Sequence, residues 1–442
     1  MLLEAEVHSS LRTVLREQSH VSWPHHLSMA RLVARALRLG RSALIQTGSP
    51  GERYCFSYLT PALLSDSPML VVVPPSVQRL LLEDKIPQLQ QWLKTDKEIR
   101  TGDRWPESGN FRGLMLTSPP SWLADRLENQ GRFPEGIPTL IDGADDLEEW
   151  TREQLTARIE QGDWEELMQG SPQQAEFIRD VRVQLTKALF DRPKNPYGCY
   201  LLEASEQESL QNLLQSLEAH SLLSPATSKF WQQWQTGDQM LWASLVRETG
   251  QFTLHLAPGS VAQPLSQVWL QQPVVLIGSF LDWETTAPIY RQELGLGDIL
   301  CLKFSPNRQE EYIQVYLPDG MPMPNTPQFQ AALMQQVRTL VSLSSSGKKP
   351  VVLLVGDVPL KAQVGAAIAA EFGSRVQVEK ENLAGDGILV CGWEFWRSHA
   401  EILPTPQLFV IATLPFPSLE NPLVTNRVAH YKRKRQDWFR LY

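Results

Sequence analysis

Nothing in these 442 residues places one cysteine near another. Cys55, Cys199, Cys301 and Cys391 lie far apart with no C-x-x-C spacing. A zinc or iron–sulfur site therefore has no local signature, and four isolated buried thiols are expected. Long hydrophobic runs are missing too. The longest (69–73, 274–277, 351–355 and 408–413) are short and β-rich, far below the roughly 20 apolar residues of a membrane-spanning helix. A leader for export is missing as well: Glu4, Glu6 and His8 stand where a signal peptide needs a basic start and an apolar core, so a cytoplasmic location and no membrane partner are expected. Basic charge is in short supply, with 41 Lys and Arg against 49 Asp and Glu and a net charge of −8. That excludes a uniformly basic nucleic-acid coat but leaves room for a local basic groove, since a phosphate track needs only one favourable face. No repeat or low-complexity segment is evident.

What is present is the composition of a soluble globular protein, 42% apolar and 20% charged. The chain is too long for one ordinary core, so two or three domains are expected. Apolar positions at helical spacing predict a helix over 26–39 with Gly40 as its stop. A strand over 42–46 follows, then a loop from Thr47 to Glu52 and a helix over 54–64. Strands over 69–73, 114–117 and 139–141 continue the alternation, which is the rhythm of a parallel sheet with helices on both faces. From Glu148 to about Glu248 the pattern changes to Glu, Gln, Leu and Trp with little β character. This predicts a helical insertion broken near 190–200. Strand character returns at 252–256 and 274–278, and a Pro-rich stretch over 318–327 reads as a linker. A second series then comprises a helix over 329–343, a strand over 351–355, a helix over 360–372 and strands over 388–391 and 408–412.

Several segments carry chemistry. The run Leu140-Ile141-Asp142-Gly143-Ala144-Asp145-Asp146 delivers one carboxylate at the end of an apolar strand, as nucleotide-hydrolysing strands do when they ligate Mg²⁺. The loop Thr47-Gly48-Ser49-Pro50-Gly51-Glu52-Arg53-Tyr54 has glycines that would let backbone N–H groups curl round phosphates. Its Pro50 has no N–H, however, and Glu52 puts a negative charge where phosphate would sit. Further on come Val275 to Leu281, then Phe304-Ser305-Pro306, then Cys391-Gly392-Trp393-Glu394-Phe395-Trp396 with Leu414-Pro415-Phe416-Pro417.

Taken in order, these segments resemble the DinG/XPD-type branch of the superfamily 2 ATP-dependent DNA helicases. The resemblance runs from about Pro24 to the C-terminus and rests on order and spacing, since no single motif is intact. It implies an α/β fold of two RecA-like (P-loop NTPase) parallel-sheet domains. The first would cover 20–150, with strands returning at about 251–300. A helical insertion would cover 151–250, and a second RecA-like domain 301–442, without its last motif.

The resemblance also implies ATP and Mg²⁺ as cofactors, held weakly or lost. Gly48, Ser49, Gly51 and Arg53 would bind nucleotide, with His26 in the place of the family's Gln. Asp142 would be the metal ligand and catalytic carboxylate, with Asp145 as a substitute base. Gly143 stands where the family has its catalytic Glu, and loss of a general base removes roughly 10²–10⁴ in rate. Between Val71 and Asp142 the iron–sulfur members carry four cysteines and this sequence carries none, so no iron–sulfur cluster is expected. Phe395 and Trp396 match the family's Phe-Trp pair and would contact nucleic acid or serve as core. The sequence ends at Tyr442, short of the family's Gln-x-x-Gly-Arg motif, whose arginines are worth roughly 10³–10⁵ in rate. Near that end Lys432, Arg433 and Arg435, interleaved with Tyr431, Trp438 and Phe439, suit phosphates and stacked bases. DNA, single-stranded in preference, is the expected partner. The alternatives are a working ATP-dependent helicase with drifted motifs, and a scaffold that docks a protein through Trp231, Trp234 and Trp242. At helical spacing those tryptophans are more often core.

Overall fold

A computed structural model describes residues 2–18, 23–49, 51–107, 110–304, 314–324, 326–344, 349–400, 403–415 and 418–435. The chain divides into two compact units, 1–157 with 257–312 and 158–256 with 313–442. In chain order the strands are β1 (Ala43–Gln46), β2 (Met69–Val72), β3 (Ile99–Thr101), β4 (Leu114–Thr117), β5 (Thr139–Asp142), β6 (Ala157–Ile159), β7 (Cys199–Leu201), β8 (Gln239–Val246), β9 (Gln251–Pro258), β10 (Val274–Gly278), β11 (Leu300–Lys303), β12 (Val351–Leu354), β13 (Val376–Val378), β14 (Ile388–Cys391) and β15 (Leu408–Ile411). No helix among the described residues is long and apolar enough to cross a membrane.

The first unit holds a seven-stranded sheet in the order β11-β1-β10-β5-β2-β4-β3, and every neighbouring pair is parallel. Successive side chains in a strand point to opposite faces. Ile45, Val71, Leu140 and Val275 enter one core with α1 (Leu3–Glu17), α2 (His26–Leu39) and α3 (Gly51–Leu64). Leu44, Leu70, Ile141 and Leu276 enter the other, against Trp122, Leu147 and Leu265 from helices on the far side. Because both faces are covered, these strands are buried along their length and read as short unbroken apolar runs.

The second unit carries two four-stranded sheets. One, ordered β13-β14-β12-β15, is parallel throughout and buries Val351, Leu353 and Val390 on one face and Val352, Leu354 and Leu389 on the other. Two parallel sheets of this kind are the expected RecA-like cores. The second sheet of this unit was not expected. It is ordered β6-β9-β8-β7, with β7 and β8 antiparallel, so the insertion is not purely helical. The helix over Pro225–Gln235 ends before Gly237 and Asp238, both at positive φ, and β8 begins at once. The strand expected over 252–256 belongs to this sheet and not to the first parallel one. Its pattern explains why: Phe252, Leu254 and Leu256 are buried while Thr253 and His255 are half-buried, an alternation suited to a sheet with one wet face. Trp242 therefore lies on β8, stacked on His255 at 5.0 Å, while Trp231 and Trp234 pack edge to face on the preceding helix. The helix Pro422–Arg433 covers β7 and β8 with Val424, Val428 and Tyr431.

Candidate functional site at the edge of the first sheet

β1, β10 and β5 are adjacent and parallel, so their C-terminal ends open onto one edge, where ligands bind in sheets of this class. Gln46 lies beside Gly278, and Ile277 beside Asp142. Asp142, Asp145 and the loop after β1 lie at this edge.

Asp142 is 4% exposed. Both of its carboxylate oxygens accept hydrogen bonds from tyrosines one turn apart on α3: the Tyr54 hydroxyl donates to Oδ1 at 2.6 Å and the Tyr58 hydroxyl to Oδ2 at 2.7 Å. Burial pushes the carboxyl up to about 6; the two hydroxyls pull it down, and the nearby Asp145 charge pushes it up again. Burial, reinforced by Asp142, also holds both phenols well above their ordinary range, so they remain donors. Gly51 closes the other side, its Cα lying where an added methyl would sit 3.7 Å from Asp142 Oδ2. Among the described residues, no group of three or more His, Cys, Asp or Glu converges as a metal site would require.

Asp145 lies in the turn after β5 and serves the loop that follows β10. Its carboxylate accepts from the Ser279 N–H at 2.9 Å, the Ser279 hydroxyl at 2.9 Å and the Phe280 N–H at 3.0 Å. Gly278 makes this approach possible, since a Cβ there would lie 2.8 Å from Asp145 Oδ2. Three further polar residues lock the same loop. Gln46, 1% exposed, accepts from the Leu281 and Asp282 N–H groups and donates to the Glu284 carbonyl. Asp282 accepts from the N–H groups of Glu284, Ile289 and Tyr290. Lys303 donates to the Asp282 and Trp283 carbonyls.

The loop between β1 and α3 is tied down in the same way. The Thr47 N–H donates to the Gly278 carbonyl and the Gly48 N–H to the Ser279 carbonyl, each at 2.9 Å. The Ser49 N–H reaches the Thr47 hydroxyl at 3.4 Å, and that hydroxyl donates to the Ser49 and Gly278 carbonyls. Pro50 lies outside the described residues. Arg53 is exposed. His26 is buried, with Nδ1 2.8 Å from the Ser57 hydroxyl, so it joins α2 to α3; burial holds its imidazole down at about 4.

The expected nucleic-acid residues lie in the second unit. Phe395 stacks on His399 at 4.2 Å and Trp396 packs on Phe409 at 4.8 Å, both half-buried against the second core. Lys432, Arg433 and Arg435 are exposed at the end of the last described helix. Lys434 and His430 pair with Asp238. Trp438 and Phe439 lie outside the described residues.

The sequence singles out Asp142, Asp145 and the β1–α3 loop as candidates but not Tyr58, Gln46 and Asp282, which hydrogen-bond to Asp142 or to the loop that follows β10. The first had a signal, because Tyr54 and Tyr58 are four apart and so share a helix face. Gln46 had none, since its partners are distant in sequence; Asp282 binds N–H groups only two to eight residues ahead, a local turn pattern with no chemistry of its own to mark it.

No protein-family model and no curated sequence matches the chain. Among solved structures, an XPD helicase superposes over 94% of this chain and 88% of its own, with a TM-score of 0.57 at 11% identity. The chain has the XPD helicase fold. An apo XPD structure covers 88% of this chain and 79% of its own at 12% identity and a TM-score of 0.49. The helicase MrfA bound to DNA and AMPPNP covers 91% of this chain and 46% of its own at 9% identity and a TM-score of 0.37.

Proposed function

We propose that this chain is a nucleic-acid-binding protein on a helicase fold whose nucleotide site no longer turns over ATP. The observation that carries the reading is the state of Asp142. A Mg²⁺ ligand must present a free, ionised oxygen, whereas both oxygens here accept from buried tyrosines and the carboxyl is raised to about 6. A phosphate loop must also aim free N–H groups at the ligand, whereas those of Thr47 and Gly48 bond backbone carbonyls. The residues present thus do not fit a Mg²⁺–triphosphate, and no catalytic step is assigned to one. Binding of single-stranded DNA rests on the fold and on the exposed basic residues Lys432, Arg433 and Arg435.

The test is ATP turnover with and without a single-stranded oligonucleotide, beside fluorescence anisotropy of the same labelled strand. Binding without turnover is expected. Turnover that the strand stimulates and Asp142→Ala abolishes would overturn the proposal.

A further inference from the structure

Helix α2 carries Arg31, Arg35 and Arg38, spaced four and three apart. That spacing aligns them on one helix face, opposite the buried Met29, Ala30, Val33 and Ala34. The rise of the helix makes them a row about 10 Å long. They line a groove of about 770 Å³ between α1 and α2, together with His8, Ser28 and Glu4. Among the described residues Glu4 is the only acid in the lining, and it pairs with Arg38 at 2.7 Å. Arg31 and Arg35 are exposed. Like charges four apart on a helix repel, and in a chain of net charge −8 such a row is not a consequence of composition.

A guanidinium is planar, permanently charged and suited to bidentate contact with phosphate. A row of them beside an open groove suits a chain of anions better than a single one. We infer that this groove takes the phosphodiester backbone of a single-stranded nucleic acid, in the first unit and apart from the basic helix end at Lys432 and Arg433. The inference rests on the proposed nucleic-acid binding for the identity of its ligand.

The experiment titrates a fluorescein-labelled single-stranded 20-mer against the full chain, against Arg31→Glu/Arg35→Glu and against Arg31→Lys/Arg35→Lys, across a series of salt concentrations. Both positions are exposed, so all three proteins should share one melting temperature. The double Glu variant should bind about 10- to 100-fold more weakly, with a salt slope smaller by about 1.4, from 0.7 per phosphate contact on a single strand. The Lys variant should stay within a few-fold of the parent. An unchanged Glu variant would overturn the groove and leave the proposed function standing. If no protein binds the strand, the proposed function falls and the nucleic-acid assignment of the groove with it. Inorganic pyrophosphate and poly-glutamate serve as competitors: displacement of the strand by either at equal charge concentration would overturn the assignment to a nucleic-acid backbone.

Discussion

Each parallel sheet ends in a carboxylate held by neighbouring loops, and the two are held in opposite ways. In the first unit Asp142 is buried and receives neutral donors, the two tyrosine hydroxyls and the Gly143 N–H, so desolvation prevails and its carboxyl rises to about 6. In the second unit Glu379 follows β13 and pairs with Lys361 while accepting from the Gly392 N–H at 3.0 Å. Burial pushes Glu379 up, but the ammonium and the N–H outweigh it, and its carboxyl lies below the ordinary value. The difference teaches that the neutral donors around Asp142 do not offset its full desolvation, whereas an ammonium and an N–H together outweigh the partial burial of Glu379. Asp142 has the burial suited to a cation partner and two tyrosines in its place.

The largest effect that would break this contrast comes from restoring the missing acid. Gly143 sits at φ 89°, and a Cβ there would lie 3.1 Å from Trp150. Gly143→Glu is expected to cost roughly 2–5 kcal/mol of stability, from the left-handed backbone and the crowding against the indole, and to yield no ATP turnover. A urea midpoint and a turnover assay check both halves. A stable, active variant would mean that this edge retains its chemistry.

Next in size is the charge itself. A carboxyl raised on folding stabilises the fold below its unfolded value of about 4, and that contribution disappears as pH rises through about 6. Ionising Asp142 therefore costs at most about 3 kcal/mol at pH 8. Asp142→Asn keeps acceptor and donor atoms for the two tyrosines without the charge, so its stability relative to the parent should rise between pH 4 and pH 7. The comparison must be between the two proteins, because His26 acts the other way. Its imidazole is held down at about 4 by burial, so its contribution is present above about 6.5 and is lost as pH falls. Parallel stability curves for parent and variant would show that the carboxylate is not held as described.

Much of the fold was legible because the central strands of both parallel sheets are buried on two faces and stand out as unbroken apolar runs between helical patterns. The same habit misled in the insertion. β8 and β9 are only partly buried, with alternation clear over 252–256, and a Trp-rich helix leads into β8 without a long loop, so the sequence read as one helical stretch. At the site, the strand ends and Asp142 followed from local pattern. The tying of Thr47 and Gly48 to β10, and of Asp145 to Ser279, joins segments more than a hundred residues apart, which local spacing does not encode.

A smaller effect separates the two tyrosines from mere packing. Tyr58→Phe keeps the ring and removes the donor to Asp142 Oδ2, leaving a buried acceptor short of one partner at a cost of roughly 1–3 kcal/mol. The loss should be greater at pH 8, where Asp142 is charged, than at pH 4.5. A cost independent of pH would place the hydroxyl outside the carboxylate's environment.

The smallest effect sharpens the other side of the contrast. Glu379 and Lys361 are partly exposed, so their pair is worth at most about 1 kcal/mol. The sign is opposite to that of Asp142. A carboxyl lowered on folding contributes above its unfolded value of about 4.5, and the contribution is lost as pH falls through the folded value. Glu379→Gln should therefore lower the midpoint slightly at pH 7 and match the parent in acid, whereas Asp142→Asn raises it at pH 7 and also converges with the parent in acid. If both substitutions shifted stability in the same direction at pH 7, the presence or absence of a cation could not be what distinguishes the two edges.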